Sequence, residues 1–145
     1  MELLVVIALF ALLLSAFYLV NWQRQIERGH DAKRKDDLRD IQIALEHYQN
    51  DHGCYPAALG TCGGGNTIFA SYNMPKLVCD PNGDEYWYEL VNSSDPCQGY
   101  RLYAHLKDTG DLDIKRLGCD GTDGCGVLNH SEYNYGVAAG ATVKQ

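Results

Sequence analysis

The first 28 residues contain no glycine or proline, the first 23 no lysine or arginine, and the first 53 no cysteine. Each absence excludes something. With no basic stretch ahead of the apolar run and no small-residue cleavage site after it, the start does not read as a cleaved secretory signal, so the segment is expected to be retained. With no Gly or Pro, nothing interrupts a helix before Gly29. All six cysteines follow residue 50, and neither a C-x-x-C knuckle nor His at the usual offsets accompanies them. That argues against zinc and for three disulfides in an oxidising compartment. No Gly-x-Ser-x-Gly elbow, phosphate loop or dinucleotide fingerprint occurs, and paired cysteines would leave no thiol nucleophile, so no enzymatic activity is expected. Five histidines are scattered, and His47 and His52 stand one residue too far apart to share a helix face.

What is present divides unevenly along the 145 residues, a length suited to one domain. Residues 3–20 form an apolar run broken only by Ser15 and Tyr18. The run is about the minimum for a membrane-spanning helix, and Glu2 at its head is a carboxylate costly to place in hydrocarbon. Glu2 equally suits a helix N-terminus at the lipid headgroups, where it complements the macrodipole. Residues 21–39 hold six Lys/Arg against four Asp/Glu and read as a solvated helix face. From Asp51 onward twelve acids face six bases, and an acidic head argues against nucleic acid as the main partner. Charge bias alone would place the basic flank 24–39 in the cytoplasm, whereas the cysteines call for the outside; a basic leader removed from the mature chain would resolve the conflict.

Leu38, Ile41, Ala44, Leu45 and Tyr48 make one helical stripe, expected to pack on a sheet. Gly29 is the weak point of the helix, and Lys33 with Asp37 should give an exposed i,i+4 pair. The helix should end at Asp51-His52-Gly53 with Pro56 just beyond. Runs at Tyr86–Val91 and Tyr100–Leu106, separated by Asn92–Pro96, predict a hairpin; weaker strand patterns lie near Leu112–Leu117 and Tyr133–Val137. The fold class is α+β: a long N-terminal helix with its hydrophobic half protruding, packed on a small antiparallel, disulfide-stapled head. The expected parts are a transmembrane or filament-core helix over 1–22, its amphipathic continuation over 23–50, and the head over 51–145. Short separations favour Cys54–Cys62 and Cys119–Cys125, leaving Cys79–Cys97, although six cysteines allow fifteen pairings.

Asp80-Pro81-Asn82-Gly83-Asp84 has the opening of a calcium loop, but Val91 stands where the closing acid belongs, so a turn is expected. Asp120 and Asp123 are a second, weak calcium candidate, bracketed by Cys119 and Cys125. Asn92-Ser93-Ser94 and Asn129-His130-Ser131 match the glycosylation sequon, in what should be surface loops. The ten tyrosines are read as sheet residues that pack while keeping their hydroxyls wet.

Met1-Glu2-Leu3-Leu4-Val5-Val6-Ile7-Ala8 resembles the start of the type IV pilin and pseudopilin family, whose mature chains read F-T-L-x-E-L-L-V-V-I-A. Asp51-His52-Gly53-Cys54-Tyr55-Pro56 resembles the family's D-x-G-x-Y-P helix exit, and Tyr100-Arg101-Leu102-Tyr103 is loosely similar to its head pattern. The resemblance implies that Glu2 is the assembly residue that neutralises a neighbour's amino terminus. It implies that Leu3, Leu4, Val5, Val6, Ile7, Leu9, Phe10 and Leu13 build a filament core. It also implies three residues before Met1, the first N-methylated, a prepilin peptidase and pilus assembly machinery as partners, and inner-membrane insertion before assembly. Major pseudopilins hold calcium in a late acidic loop, which gives Asp120 and Asp123 what weight they have; no other cofactor is implied. The expected function is a homo-polymeric cell-surface filament. The alternatives are a major pseudopilin of a type II secretion system, or a monomeric membrane-anchored extracellular binding module.

Overall fold

A computed structural model describes residues 2–19, 22–65 and 68–145. The apolar run forms α1 (Glu2–Leu19), and the stalk forms α2 (Trp22–His52), helical straight through Gly29. The junction of the two helices lies outside the described residues. Gly53 ends α2 with φ +84°, its N–H bonded to the Gln49 carbonyl at 2.7 Å, a conformation glycine adopts without a Cβ penalty. The head carries β1 (Trp87–Leu90), β2 (Tyr100–Ala104), a short helix α3 (Leu112–Arg116) and β3 (Tyr135–Ala139). The strands form one antiparallel sheet in the order β1-β2-β3, with Tyr88 opposite Leu102 and Leu102 opposite Val137.

The expected stripe is the core. Leu38, Ile41, Ala44 and Leu45 are buried against Tyr100, Leu102 and Ala104 of β2, with Phe69, Met74 and Leu77 closing the side. A second cluster around Tyr103, Leu106, Ile114 and Val127 makes β2 the strand covered on both sheet faces. At the end of the sheet Gly140 (φ +72°) passes so close to Gly99 that a Cβ on it would stand 1.9 Å from the Gln98 carbonyl oxygen.

Three expectations about the head are corrected. Leu112–Arg116, within the strand expected near 112–117, form a helix instead, because the Asp111 carboxylate caps it by accepting from Asp113 N–H at 2.9 Å and only Ile114 is buried. The last strand begins two residues late, because the Asn134 side chain is spent on Leu106, accepting from its N–H at 2.8 Å and donating to its carbonyl at 2.9 Å. The disulfides are Cys54–Cys97, Cys62–Cys79 and Cys119–Cys125, so only the last follows the expected pairing. The hairpin loop folds back on the end of α2, where Tyr55 N–H meets the Pro96 carbonyl at 3.1 Å and brings Cys97 to Cys54. Gly63 N–H on the Leu77 carbonyl at 2.8 Å zips the intervening loop and sets Cys62 across from Cys79.

Candidate functional site

Leu, Ala, Val, Ile and Phe at successive positions place apolar side chains around the whole circumference of α1, not on one stripe. Every described side chain from Glu2 to Ser15 is exposed. The ten large ones (Leu3, Leu4, Val5, Val6, Ile7, Leu9, Phe10, Leu12, Leu13 and Leu14) are each 51–74% accessible. Covering a large aliphatic or aromatic side chain is worth about 1.5–3 kcal/mol relative to water, so this surface is adhesive. Glu2 is the only charged residue in α1, and Ser15 settles its hydroxyl on the Leu12 carbonyl at 2.8 Å. The span expected over 1–22 lies partly outside the described residues; among the described residues no helix is long and apolar enough to cross a membrane. The eighteen residues of α1 measure ~27 Å at 1.5 Å per residue, against a hydrocarbon core of ~30 Å.

The stalk helix α2 is fixed to the head by charge as well as by its stripe. Arg34, expected on a solvated face, is 1% exposed. It grips both oxygens of Asp80 (2.5 and 2.9 Å) and one of Asp31 (2.7 Å). Asp31 in turn accepts from the N–H groups of Lys107 and Asp108 at 2.9 and 2.8 Å. Burial works against the Asp80 charge, but Arg34 and the Asn82 N–H outweigh it and hold that carboxyl below the usual range. The Asp80 bond from Arg34 more than offsets desolvation and keeps the guanidinium firmly charged. Arg28 meets Asp108 at 3.0 Å, and Lys35 reaches Asp111 and Asp113 at 2.7 Å each. Lys33 does pair with Asp37 at 3.0 Å, yet Asp37 is buried and also accepts from the Tyr86 hydroxyl at 2.8 Å.

The residues singled out from sequence fall in separate places. Glu2 and the core-helix residues lie on α1, the cysteines in three pairs within the head, and Asp120 and Asp123 in the turn closed by Cys119–Cys125. Asp123 there receives the Thr122 hydroxyl at 3.2 Å. Among the described residues no three His, Cys, Asp or Glu side chains gather as for a metal. Asp80 and Asn82 do form the expected turn, with Gly83 N–H on the Asp80 carbonyl at 2.7 Å, and the Asp80 carboxylate is committed to Arg34. The tyrosine hydroxyls are not uniformly wet: Tyr86 bonds the buried Asp37 and Tyr88 the Pro56 carbonyl at 2.8 Å. The buried clamp was missed in sequence, although the stripe that gives Leu38 and Ile41 continues at the same spacing through Arg34 and Asp31. No family model, curated protein or solved structure matches the chain.

Proposed function

We propose that the chain is a type IV pilin-like structural subunit that polymerises through α1 into an extracellular filament. The carrying observation is the apolar circumference of α1, with its ten large side chains 51–74% exposed and a head too small to cover them. Copies of the same helix would cover that surface in the polymer, where close packing supplies the gain over lipid. Before assembly the inner membrane would shield the same side chains. Glu2, at the head of the run, neutralises the amino terminus of an incoming neighbour in this reading. The three disulfides support an oxidising, extracellular setting for the head.

Electron microscopy of sheared cell-surface material, with this chain identified by mass spectrometry, is the test. Filaments should withstand high salt, which screens only head and stalk charges, and should fall apart in detergent that solvates the helices. Glu2→Ala should leave the head folded and abolish filaments. Filament yield unchanged in that variant, or filaments dissolved by salt alone, would overturn the reading. Isolated chains in membrane fractions with no filament would favour the tethered binding module.

A further inference from the structure

Of the two sequons, one is built as an acceptor and the other is not. Asn129 is exposed and occupies the third position of a tight turn closed by His130 N–H on the Val127 carbonyl at 3.0 Å. Its φ is +63°, a left-handed conformation that favours Asn or Gly at that position. Ser131, two residues on, is exposed as well, and His130 between them satisfies the requirement for a residue other than Pro. Asn92, whose partner Ser94 is exposed too, differs in its burial and in opening its turn rather than standing third in it. It is half-buried, and its side-chain oxygen is already bonded to Ser94 N–H at 2.9 Å, inside the loop that Cys97 staples to the end of α2.

The surroundings of Asn129 also fit a sugar. Leu128, its neighbour in the turn, is 81% exposed, an apolar side chain on the head with nothing packed over it. On the other side the His130 ring lies against Trp87 at 4.4 Å and Tyr133 at 5.6 Å, so a saccharide leaving Asn129 has leucine and aromatic surface to lie on. The disulfides fit an oxidising, secretory setting, the one in which this sequon is read as an acceptor.

We infer that Asn129 is an N-glycan acceptor and that Asn92 is not. The donor class is a lipid-pyrophosphate-linked oligosaccharide, used by a transferase of that compartment. A C–N bond forms between the Asn129 side-chain amide and the anomeric carbon, and the anomeric C–O bond breaks. The departing pyrophosphate oxygen keeps the bonding pair, and the amide gives up one proton to a base of the transferase. The inference stands apart from polymerisation and holds for a filament subunit or a tethered module.

The test is peptide mass spectrometry on the full chain isolated from the cells that make it, alongside Ser131→Ala and Ser94→Ala variants. Ser131→Ala keeps Asn129 and its turn, so it removes the acceptor motif without disturbing the fold. The expected result is a hexose- or hexosamine-containing increment on the Asn129 peptide, lost in Ser131→Ala and retained in Ser94→Ala, with the Asn92 peptide unshifted. An unmodified Asn129 peptide, an increment on Asn92, or an Asn129 increment that survives Ser131→Ala would overturn it.

Discussion

Arg34 and Asp80, 46 residues apart in the chain, form a two-pronged ion pair (2.5 and 2.9 Å) that binds the stalk helix to the turn ahead of the sheet. Both partners are largely sealed from water, at 1% and 11% side-chain exposure, and Asp31 completes the group at 4%. Removing the cation strands two carboxylates in the interior. Arg34→Ala should therefore cost about 3–5 kcal/mol, as breaking buried pairs does. Arg34→Lys should recover only part of that, because an ammonium cannot reproduce the fork on Asp80. Urea unfolding of the two variants checks both; a loss under about 1 kcal/mol, the range of exposed pairs, would refute the clamp.

The same pair sets the acid limit of the head. The Asp80 carboxyl ionises below its ordinary range when folded, so its contribution is fully present above the unfolded value of ~3.9 and is lost as pH falls through the lowered folded value. Stability followed by urea from pH 7 downward should hold until roughly pH 4 and then drop. Asp80→Asn should start lower at neutral pH and drop less steeply in acid. Parallel curves for the two proteins would show that Asp80 is not the group responsible.

Non-reducing peptide maps should yield Cys54 joined to Cys97 and Cys62 joined to Cys79. The loops closed differ, with sequence separations of 43 and 17. Chain entropy then makes the Cys54–Cys97 bond worth about 4 kcal/mol and the other about 3. Replacing each pair by serines and comparing thermal unfolding tests the order as well as the size.

Two tyrosines buried beneath the same helix should respond oppositely to loss of one oxygen. The Tyr86 hydroxyl serves the buried Asp37, whereas the Tyr100 hydroxyl has no hydrogen-bond partner among the described residues. Tyr86→Phe should cost about 1–3 kcal/mol by leaving Asp37 short of a donor, while Tyr100→Phe should be neutral or stabilising. Urea midpoints decide, and equal losses would contradict the assignment. Burial raises both phenol pKa values above the ordinary tyrosine range, so neither hydroxyl should ionise before the head opens in alkali.

Local periodicity made the helix, its apolar stripe and the first hairpin legible, because each depends on neighbours a few residues apart. Leu38, Ile41 and Leu45 announce their face by spacing alone, and Gly53 announces the end of α2. What escaped depends on contacts across the chain. The pairing of Cys54 with Cys97 follows from where the hairpin loop lands, which no separation encodes. Leu112-Asp113-Ile114 opens like a strand until the Asp111 carboxylate caps Leu112–Arg116 into a helix. Arg34 reads as one more charge in a basic stretch until Asp80 and Asp31 are brought to it. On the candidate surface, the apolar character of α1 was plain, while the charges that lock its support to the head were not.

The bond between Cys54 and Cys97 also determines how the chain would carry a load. A pull along α2 reaches the last residues of the helix and crosses the sulfurs directly to the start of β2, so the intervening loop and β1 are bypassed. That segment becomes hidden length, folded or not, as long as the bond is closed. With this bond and the nested Cys62–Cys79 bond both reduced, the same pull could draw out up to ~140 Å of contour, from the 43-residue separation at ~3.3 Å per residue. Oxidised, the head behaves under tension as a short coupling between helix and sheet; reduced, it becomes a spool.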